Sequence, residues 1–321
     1  MADPSRDFVE SSEPFRRELL AHCYRMLGEA DEAEDVVQET YLRAWRSYDS
    51  FEGRSSLRTW LYRIATNACL SAIEQRGRRA LPSGLGSPAA DPDVGQVEAD
   101  SDVAWLGPIP DVWVTAEAYD PAAIVTARQS VRLALIASLQ YLPARQRAVL
   151  LLREVLGFSA SEAASMLETS VSAIKSMLQR ARARLDEVAP TLDTVVEPSE
   201  PRARALLDLY IAGFENSDIA ALERALRTDA AIELVGTRAW FAGKATCLRY
   251  LAHVIGSPGD WRMRPTTANG QPAAATYYTA GATSQALGIA VLTATSAGIA
   301  RVTVFPGGPG LVANFDLPEE C

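Results

Sequence analysis

Only four cysteines occur in 321 residues, Cys23, Cys69, Cys247 and Cys321, and no two have CxxC spacing. That excludes a legible zinc site or disulfide framework; the first three are expected as buried apolar thiols, and Cys321 as an exposed one. Histidine is scarcer still: His22 and His253 are the pair, and no general-base constellation surrounds them. No metal or cofactor is expected. No stretch approaches the roughly 18 apolar residues of a membrane span. Met1 to Asp7 has neither a basic start nor an apolar core, so no signal peptide is read there and a cytoplasmic protein without a membrane partner is expected.

Basic residues are also missing locally. Residues 81–125 contain no Lys or Arg and eight acids: Asp91, Asp93, Glu98, Asp100, Asp102, Asp111, Glu117 and Asp120. Residues 126–187 hold nine basic against five acidic side chains, so the net charge of −9 conceals a basic module. Hydrophobic residues make up 48%, enough for two or three domains. Residues 10–80 carry helical periodicity, and the Pro- and Gly-rich stretch 81–125 reads as a linker. Helix returns over 126–188, and after a break at 190–201 the last block, 201–321, mixes helices with short strands.

Ala33, Val36, Val37, Thr40, Tyr41, Ala44 and Trp45 form one helical stripe. Asp31 with Glu34 resembles a capping box at its start. A second helix begins near Ser55 or Ser56 and buries Leu57, Trp60, Leu61, Ile64, Ala68 and Ala72. Periodicity alone supports no more than a helical bundle.

Residues 143–186 say more. Pro143 starts an apolar-striped helix, Ala144 to Leu156, that Gly157 ends. Ser159 and Glu162 form a capping box for a short helix, Ala160 to Glu168. Thr169-Ser170-Val171 turns the chain into a last helix from Ser172. Ala163 and Ala164 let two helices cross closely, as a helix-turn-helix demands. On the last helix Ile174, Leu178, Ala181 and Leu185 point inward, while Ser172, Lys175, Ser176, Gln179 and Arg182 point outward, with Arg180 and Arg184 flanking. Such a face can meet base edges and phosphates, or it can be a solvated basic surface. The cap, turn and polar face together favour DNA.

Asp31-Glu32-Ala33-Glu34-Asp35-Val36-Val37-Gln38-Glu39-Thr40-Tyr41-Leu42-Arg43-Ala44-Trp45 closely resembles region 2.2 of RNA polymerase sigma factors. Phe51 to Asn67 (FEGRSSLRTWLYRIATN) resembles regions 2.3 and 2.4 of the extracytoplasmic-function, or group 4, class. Leu142-Pro143-Ala144-Arg145-Gln146-Arg147 and the helix-turn-helix resemble region 4. The resemblance covers about 130 residues in order. It implies promoter recognition with core polymerase and promoter DNA as partners and no catalysis. Asp35, Gln38, Glu39, Leu42 and Arg43 would meet the β′ clamp helices. Phe51, Glu52, Arg54 and Ser55 would hold a base flipped from the −10 element. Arg58, Arg63 and Asn67 would line the single strand, and Arg76, Arg78 and Arg79 would meet phosphates or complement the helix dipole. Ser170, Ser172, Lys175, Ser176, Gln179, Arg180 and Arg182 would read the −35 element, with region 4 on the β flap. The residues name no anti-sigma partner.

Trp105-Leu106-Gly107-Pro108-Ile109-Pro110-Asp111 is similar to the linker of sigma factors bearing a C-terminal SnoaL-like (NTF2-like) domain. Trp105, Leu106 and Pro108 would dock on a surface or form a local apolar cluster. The acidic run could mimic nucleic acid in the polymerase channel.

In the last block, Leu206, Leu207, Tyr210, Ile211 and Phe214 predict a helix, Leu222 and Leu226 a second, and Gly243 to Ile255 a third. Strands are expected at 230–235, 286–295 and 299–305, with Asn269-Gly270 as the hairpin turn between 261–268 and 271–279. The fold class is therefore multidomain: two all-α sigma domains, then an α+β cone with an antiparallel sheet. Asp208, Asp229, Asp260 and Tyr277 could be proposed as proton shuttles, but nothing in the sequence gathers them. Tyr210, Trp240, Trp261 and Tyr277 read first as core. The block is read as regulatory, contacting the sigma domains. Two other readings stay open, a ligand-sensing helix-turn-helix regulator and an enzyme fused to a DNA anchor.

Overall fold

The computed structural model describes residues 4–48, 51, 53, 55–92, 99–115, 125–126, 128–188, 195–281 and 283–321. Glu52 and Arg54, and of the acidic run Asp93, Glu98, Glu117 and Asp120, lie outside them. The chain forms two compact units, one of Met1–Arg79 with Val112–Pro190, the other of Ala80–Asp111 with Thr191–Cys321.

In the first unit α1 (Pro4–Ser12) precedes three packed helices, α2 (Arg16–Leu27), α3 (Ala30–Ser47) and α4 (Leu57–Arg76). Leu19, Met26, Val37, Leu61 and Tyr62 are buried between them. Gly28, at φ 78°, ends α2 in the left-handed region. The cap of α3 is not the expected Asp31 with Glu34. Glu29 caps it, accepting a hydrogen bond from Glu32 N at 2.7 Å. The helix starts at Ala30, which leaves Asp31 in the first turn and frees Glu34 to pair with Arg16. Trp45 also departs from its predicted stripe, being 51% exposed. At 100° per residue it lies about 120° around from Ala33, beyond the arc that packs. Ser56 caps α4, accepting from Thr59 N.

The second half of this unit contains α5 (Leu133–Leu139), α6 (Ala144–Leu150), α7 (Ala160–Met166) and α8 (Val171–Val188). The helix expected to run to Leu156 widens into a π turn at Leu151–Val155. Leu156 N bonds Leu151 O at 3.0 Å, a five-residue spacing, before Gly157 reverses the chain at φ 72°. Both halves of the Ser159–Glu162 capping box are present. Ser170 accepts from Ala173 N, so α8 starts at Val171, one residue earlier than expected.

The second unit packs α9 (Pro201–Glu215), α10 (Ile219–Ala225) and α11 (Lys244–Val254) with a sheet. Its strands are β1 (Leu226–Leu234), β2 (Trp240–Ala242), β3 (Trp261–Ala268), β4 (Gln271–Ala280), β5 (Thr283–Thr295) and β6 (Gly298–Pro306), ordered β2-β1-β6-β5-β4-β3. A short helix, α12 (Gly308–Ala313), packs against β5. The sheet is not wholly antiparallel: β1 runs parallel to β6, because helix and loop separate two strands that meet across the chain. At Gly288 a Cβ would stand 2.0 Å from Phe305 O, so β5 and β6 approach closely only with glycine there.

Of the segment read as a linker, the described residues up to Asp111 belong to this second unit, and those from Val112 onward to the first. Ala80 bridges Trp105, and Pro110 bridges Ala268. Ile109 N donates to Asn269 Oδ1 at 3.1 Å, Asn269 N to Ile109 O at 3.0 Å, and Gly270 N to Asp111 Oδ1 at 2.7 Å. The hairpin turn thus lies beneath the chain. Ser83 bonds the buried Glu233, which also pairs with Arg301.

His22 is fully buried against Tyr62, with Nε2 2.9 Å from Thr66 Oγ1. Burial, then the charges of Arg25 and Arg58, push its pKa down to about 3 from 6.5. The unfolded chain therefore binds the extra proton, and this contribution is complete above pH 6.5 and lost as pH falls toward 3. Between pH 7 and pH 5, urea unfolding should show the wild type losing about 2 kcal/mol more stability than His22→Gln. Parallel pH profiles would refute it.

Candidate nucleic-acid interface

The outward face of α3 presents Asp35, Gln38, Leu42 and Arg43, all exposed, with Glu39 half-buried. Arg43 Nε donates to Glu39 at 2.6 Å, an i,i+4 pair. Leu42 is 48% exposed, and Trp45 joins it, so the face is polar with an apolar centre. Sequence reasoning missed Trp45 here, though its helical angle would have placed it.

On α8, Ile174 and Ala181 are buried while Leu178 and Leu185 are half-buried. Ser170, Ser172, Lys175, Ser176, Gln179, Arg180 and Arg182 are all exposed. Arg182 donates to Glu154 at 2.5 Å, and Ser170 and Ser172 hydroxyls are 2.9 Å apart. The helix therefore offers hydroxyl, amide, ammonium and guanidinium groups from one scaffold. Side chains of that set can donate to base edges and to phosphate oxygens.

The residues expected along the single strand are held differently. Phe51 stacks on Trp60 with centroids 4.8 Å apart, and Ser55 is exposed. Arg58 lies over the rings of Tyr62 and Phe158, 4.9 and 4.8 Å away, and donates to Glu18. Arg63 pairs with Glu168 at 3.0 Å, and Asn67 donates to Met166 O at 3.3 Å. Phe158, Met166 and Glu168 belong to the helix-turn-helix half, so this face is folded against it. Arg76 and Arg79 both reach the buried Glu32, at 2.8 and 2.7 Å, and Arg78 covers the Tyr141 ring at 4.5 Å.

Two buried arginines join the halves of this unit. Arg147 is 2% exposed; its guanidinium donates to Met26 O, to Gln140 Oε1 at 2.8 Å and to Leu142 O at 3.3 Å. Arg25 donates to Ser130 O at 3.2 Å and Ser130 Oγ at 2.5 Å. Burial lowers both pKa values to about 10, which leaves them charged at neutral pH. Neutral oxygens, carbonyls and the Ser130 hydroxyl, accept from them, and Arg147 Nε is buried without a partner among the described residues.

In the second unit Leu106 and Pro108 are buried and Trp105 is half-buried, its Nε1 donating to Asp100 O at 2.9 Å. The four proposed proton shuttles are not gathered. Asp208 is exposed, Asp229 pairs with Arg227, Asp260 accepts from Ser257 N, and Tyr277 donates to Pro318 O. Tyr210 and Trp261 instead line a cavity of about 260 Å³, while Trp240 and Tyr277 do not. No group of three or more metal-ligating side chains occurs among the described residues, and no described helix is long and apolar enough to cross a membrane.

Residues 13–79 match the family described as Sigma-70 region 2, and residues 132–185 match Sigma-70, region 4. The chain is 48% identical to the ECF RNA polymerase sigma factor SigG of Mycobacterium tuberculosis, over 99% of this chain and 86% of that protein. It is 31% identical to the ECF RNA polymerase sigma-E factor of Escherichia coli over 47% of this chain and 71% of that protein. Among solved structures, that of the M. tuberculosis extracytoplasmic function sigma factor SigJ aligns with TM-score 0.59 at 19% identity, covering 95% of this chain and 98% of that one. The two helical blocks followed by an α+β domain thus share that fold.

Arg147→Met leaves Met26 and Leu142 carbonyls without their donor and should cost roughly 3 kcal/mol in urea unfolding. Lys175→Ala with Gln179→Ala touches only solvated groups and should stay within about 0.5 kcal/mol of wild type. Equal losses in the two variants would contradict the division between seam and surface.

Proposed function

The chain belongs to the extracytoplasmic-function sigma factors of RNA polymerase, and from that premise we propose how its surfaces divide promoter recognition. It directs promoter recognition and transcription initiation. The α3 face of Asp35, Gln38, Glu39, Leu42 and Arg43 takes the β′ clamp helices, with Trp45 beside it. The α8 face of Lys175, Ser176, Gln179 and Arg182 enters the major groove at the −35 element, while region 4 rests on the β flap. The observation that carries this reading is two exposed polar faces, one on each half of a single unit, each with a buried apolar back.

The −10 contacts require a change of partner. Arg58, Arg63 and Asn67 are engaged by Phe158, Glu168 and Met166, so single-stranded DNA would replace those contacts as the two halves part. The unpaired base would sit at Phe51 and Ser55, with Glu52 and Arg54. The protein works beside the polymerase in the cytoplasm and carries no chemistry of its own. The second unit modulates this activity, and the docked segment around Leu106 is the route by which it does so.

Leu42→Arg should weaken binding of the full-length protein to core polymerase by about tenfold or more, with its unfolding unchanged. Lys175→Ala with Gln179→Ala should lower transcription from a cognate promoter by about tenfold while core binding holds. Undiminished transcription from that double variant would remove the −35 assignment.

Asn269→Ala removes the side-chain acceptor of Ile109 N and loosens the segment there. Proteolysis within residues 80–111 should speed up and promoter output should change. A freed segment with constant output would end the modulatory role.

A further inference from the structure

The second unit contains a cavity that promoter recognition does not use, and we infer that it binds an uncharged, ring-sized apolar molecule carrying one hydrogen-bond acceptor. Cores leave few voids larger than a water molecule, so a volume of about 260 Å³ is no packing defect. An apolar cavity of about 150 Å³ accommodates benzene, which scales this one to roughly ten heavy atoms. Leu287, 44% exposed, lines it, so the cavity reaches solvent.

The walls define the ligand's polarity. No lining residue is charged. Two of the polar side chains already have partners: Trp261 Nε1 donates to Val254 O at 3.1 Å and Thr276 Oγ1 to Gly288 O at 3.2 Å. Two phenols remain, Tyr210 on α9 and Tyr250 on α11, and neither has a hydrogen-bond partner among the described residues. Tyr210 is 3% exposed as a residue, and its phenol O–H is a donor that no described group uses. Burial raises its pKa, with the Tyr250 charge adding, and holds Tyr250 at about 12, so both are donors at neutral pH. They call for an acceptor such as a ketone oxygen. An anion would have to shed water into a site with no cation. Phe214 stands edge-on to Trp261 at 5.4 Å, and Phe241 stacks on Tyr250 at 4.5 Å, which fixes flat aromatic walls. None of Asp208, Asp229 or Asp260 lines the cavity, so its chemistry is binding.

Equilibrium dialysis of the full-length protein against 1-tetralone, tetralin and 2-naphthoate tests this. The ketone should bind, tetralin roughly fivefold more weakly, and the anion at least tenfold more weakly than the ketone. Ala290→Leu, which fills the cavity from β5, should abolish binding. Tyr210→Phe with Tyr250→Phe removes no intramolecular hydrogen bond and should reduce the ketone to the affinity of tetralin. That second variant decides the matter even where Ala290→Leu fails to fold. The inference is overturned by naphthoate binding as tightly as the ketone, by undiminished ketone binding to folded Ala290→Leu, by a double-Phe variant that keeps the ketone's advantage, or by no ketone binding to folded wild type.

Discussion

The helical unit depends on the guanidinium of Arg147, a cation 2% exposed and paired with no carboxylate among the described residues. Its hydrogen bonds run to the last turn of α2, at Met26, and to the loop before α6, at Gln140 and Leu142. Burying an arginine without an ion partner is tolerable only if most of its donors are met, as both terminal nitrogens of Arg147 are, and backbone carbonyls at helix ends are the acceptors left over by helix geometry. The seam thus uses groups that each half would otherwise leave unsatisfied. Arg25 repeats the device at Ser130, in the reverse direction along the chain.

Against that seam, the contacts that cover the expected single-strand face are weak. Arg63 and Glu168 are both largely exposed, and such pairs contribute about 0–1 kcal/mol. Asn67 and Met166 share one ordinary hydrogen bond. Arg58 is held more firmly, between two rings and a carboxylate. Phosphate and base can replace the first two at little cost, whereas parting the Arg147 seam breaks a charge-assisted hydrogen bond to Met26 O and opens the packed surface around it. A change of partner at the face is therefore cheaper than separation of the halves, which would break the hydrogen bonds of Arg147 to Met26 and of Arg25 to Ser130.

The helices and their outward faces were legible because periodicity and caps are local properties. Ser159 with Glu162, and the stripe through Ile174 and Ala181, need only neighbours within one turn. What was not legible required partners far along the chain. The parallel pairing of β1 with β6 joins residues such as Ile232 and Val302. Arg79 finds Glu32, and Arg63 finds Glu168, although arginine on an exposed helix face reads equally well as a phosphate contact. Trp45 leaves the stripe because spacings alone do not sum angles: over the roughly three turns from Ala33 the drift carries it past the packing arc.

The linker is the clearest instance. Proline, glycine and acid content make residues 81–125 read as a linker, yet composition reports only what a segment can do alone. Asp100 pairs with Arg238, Asp91 with Arg249, and Asp111 accepts from Gly270 N, so three of the acids are matched inside the second unit. The partners of Ile109 and Asp111 come from a hairpin turn whose Asn269 and Gly270 suit the turn geometry and serve also as a docking edge. That turn joins β3 and β4, and Met263 and Thr276 on those strands line the cavity. Strands in a paired ladder move together, so a molecule packed against Met263 and a segment hung from Asn269 bear on one rigid hairpin. Coupling between the cavity and the docked segment then needs no long chain of contacts, only the stiffness of a single two-stranded ribbon.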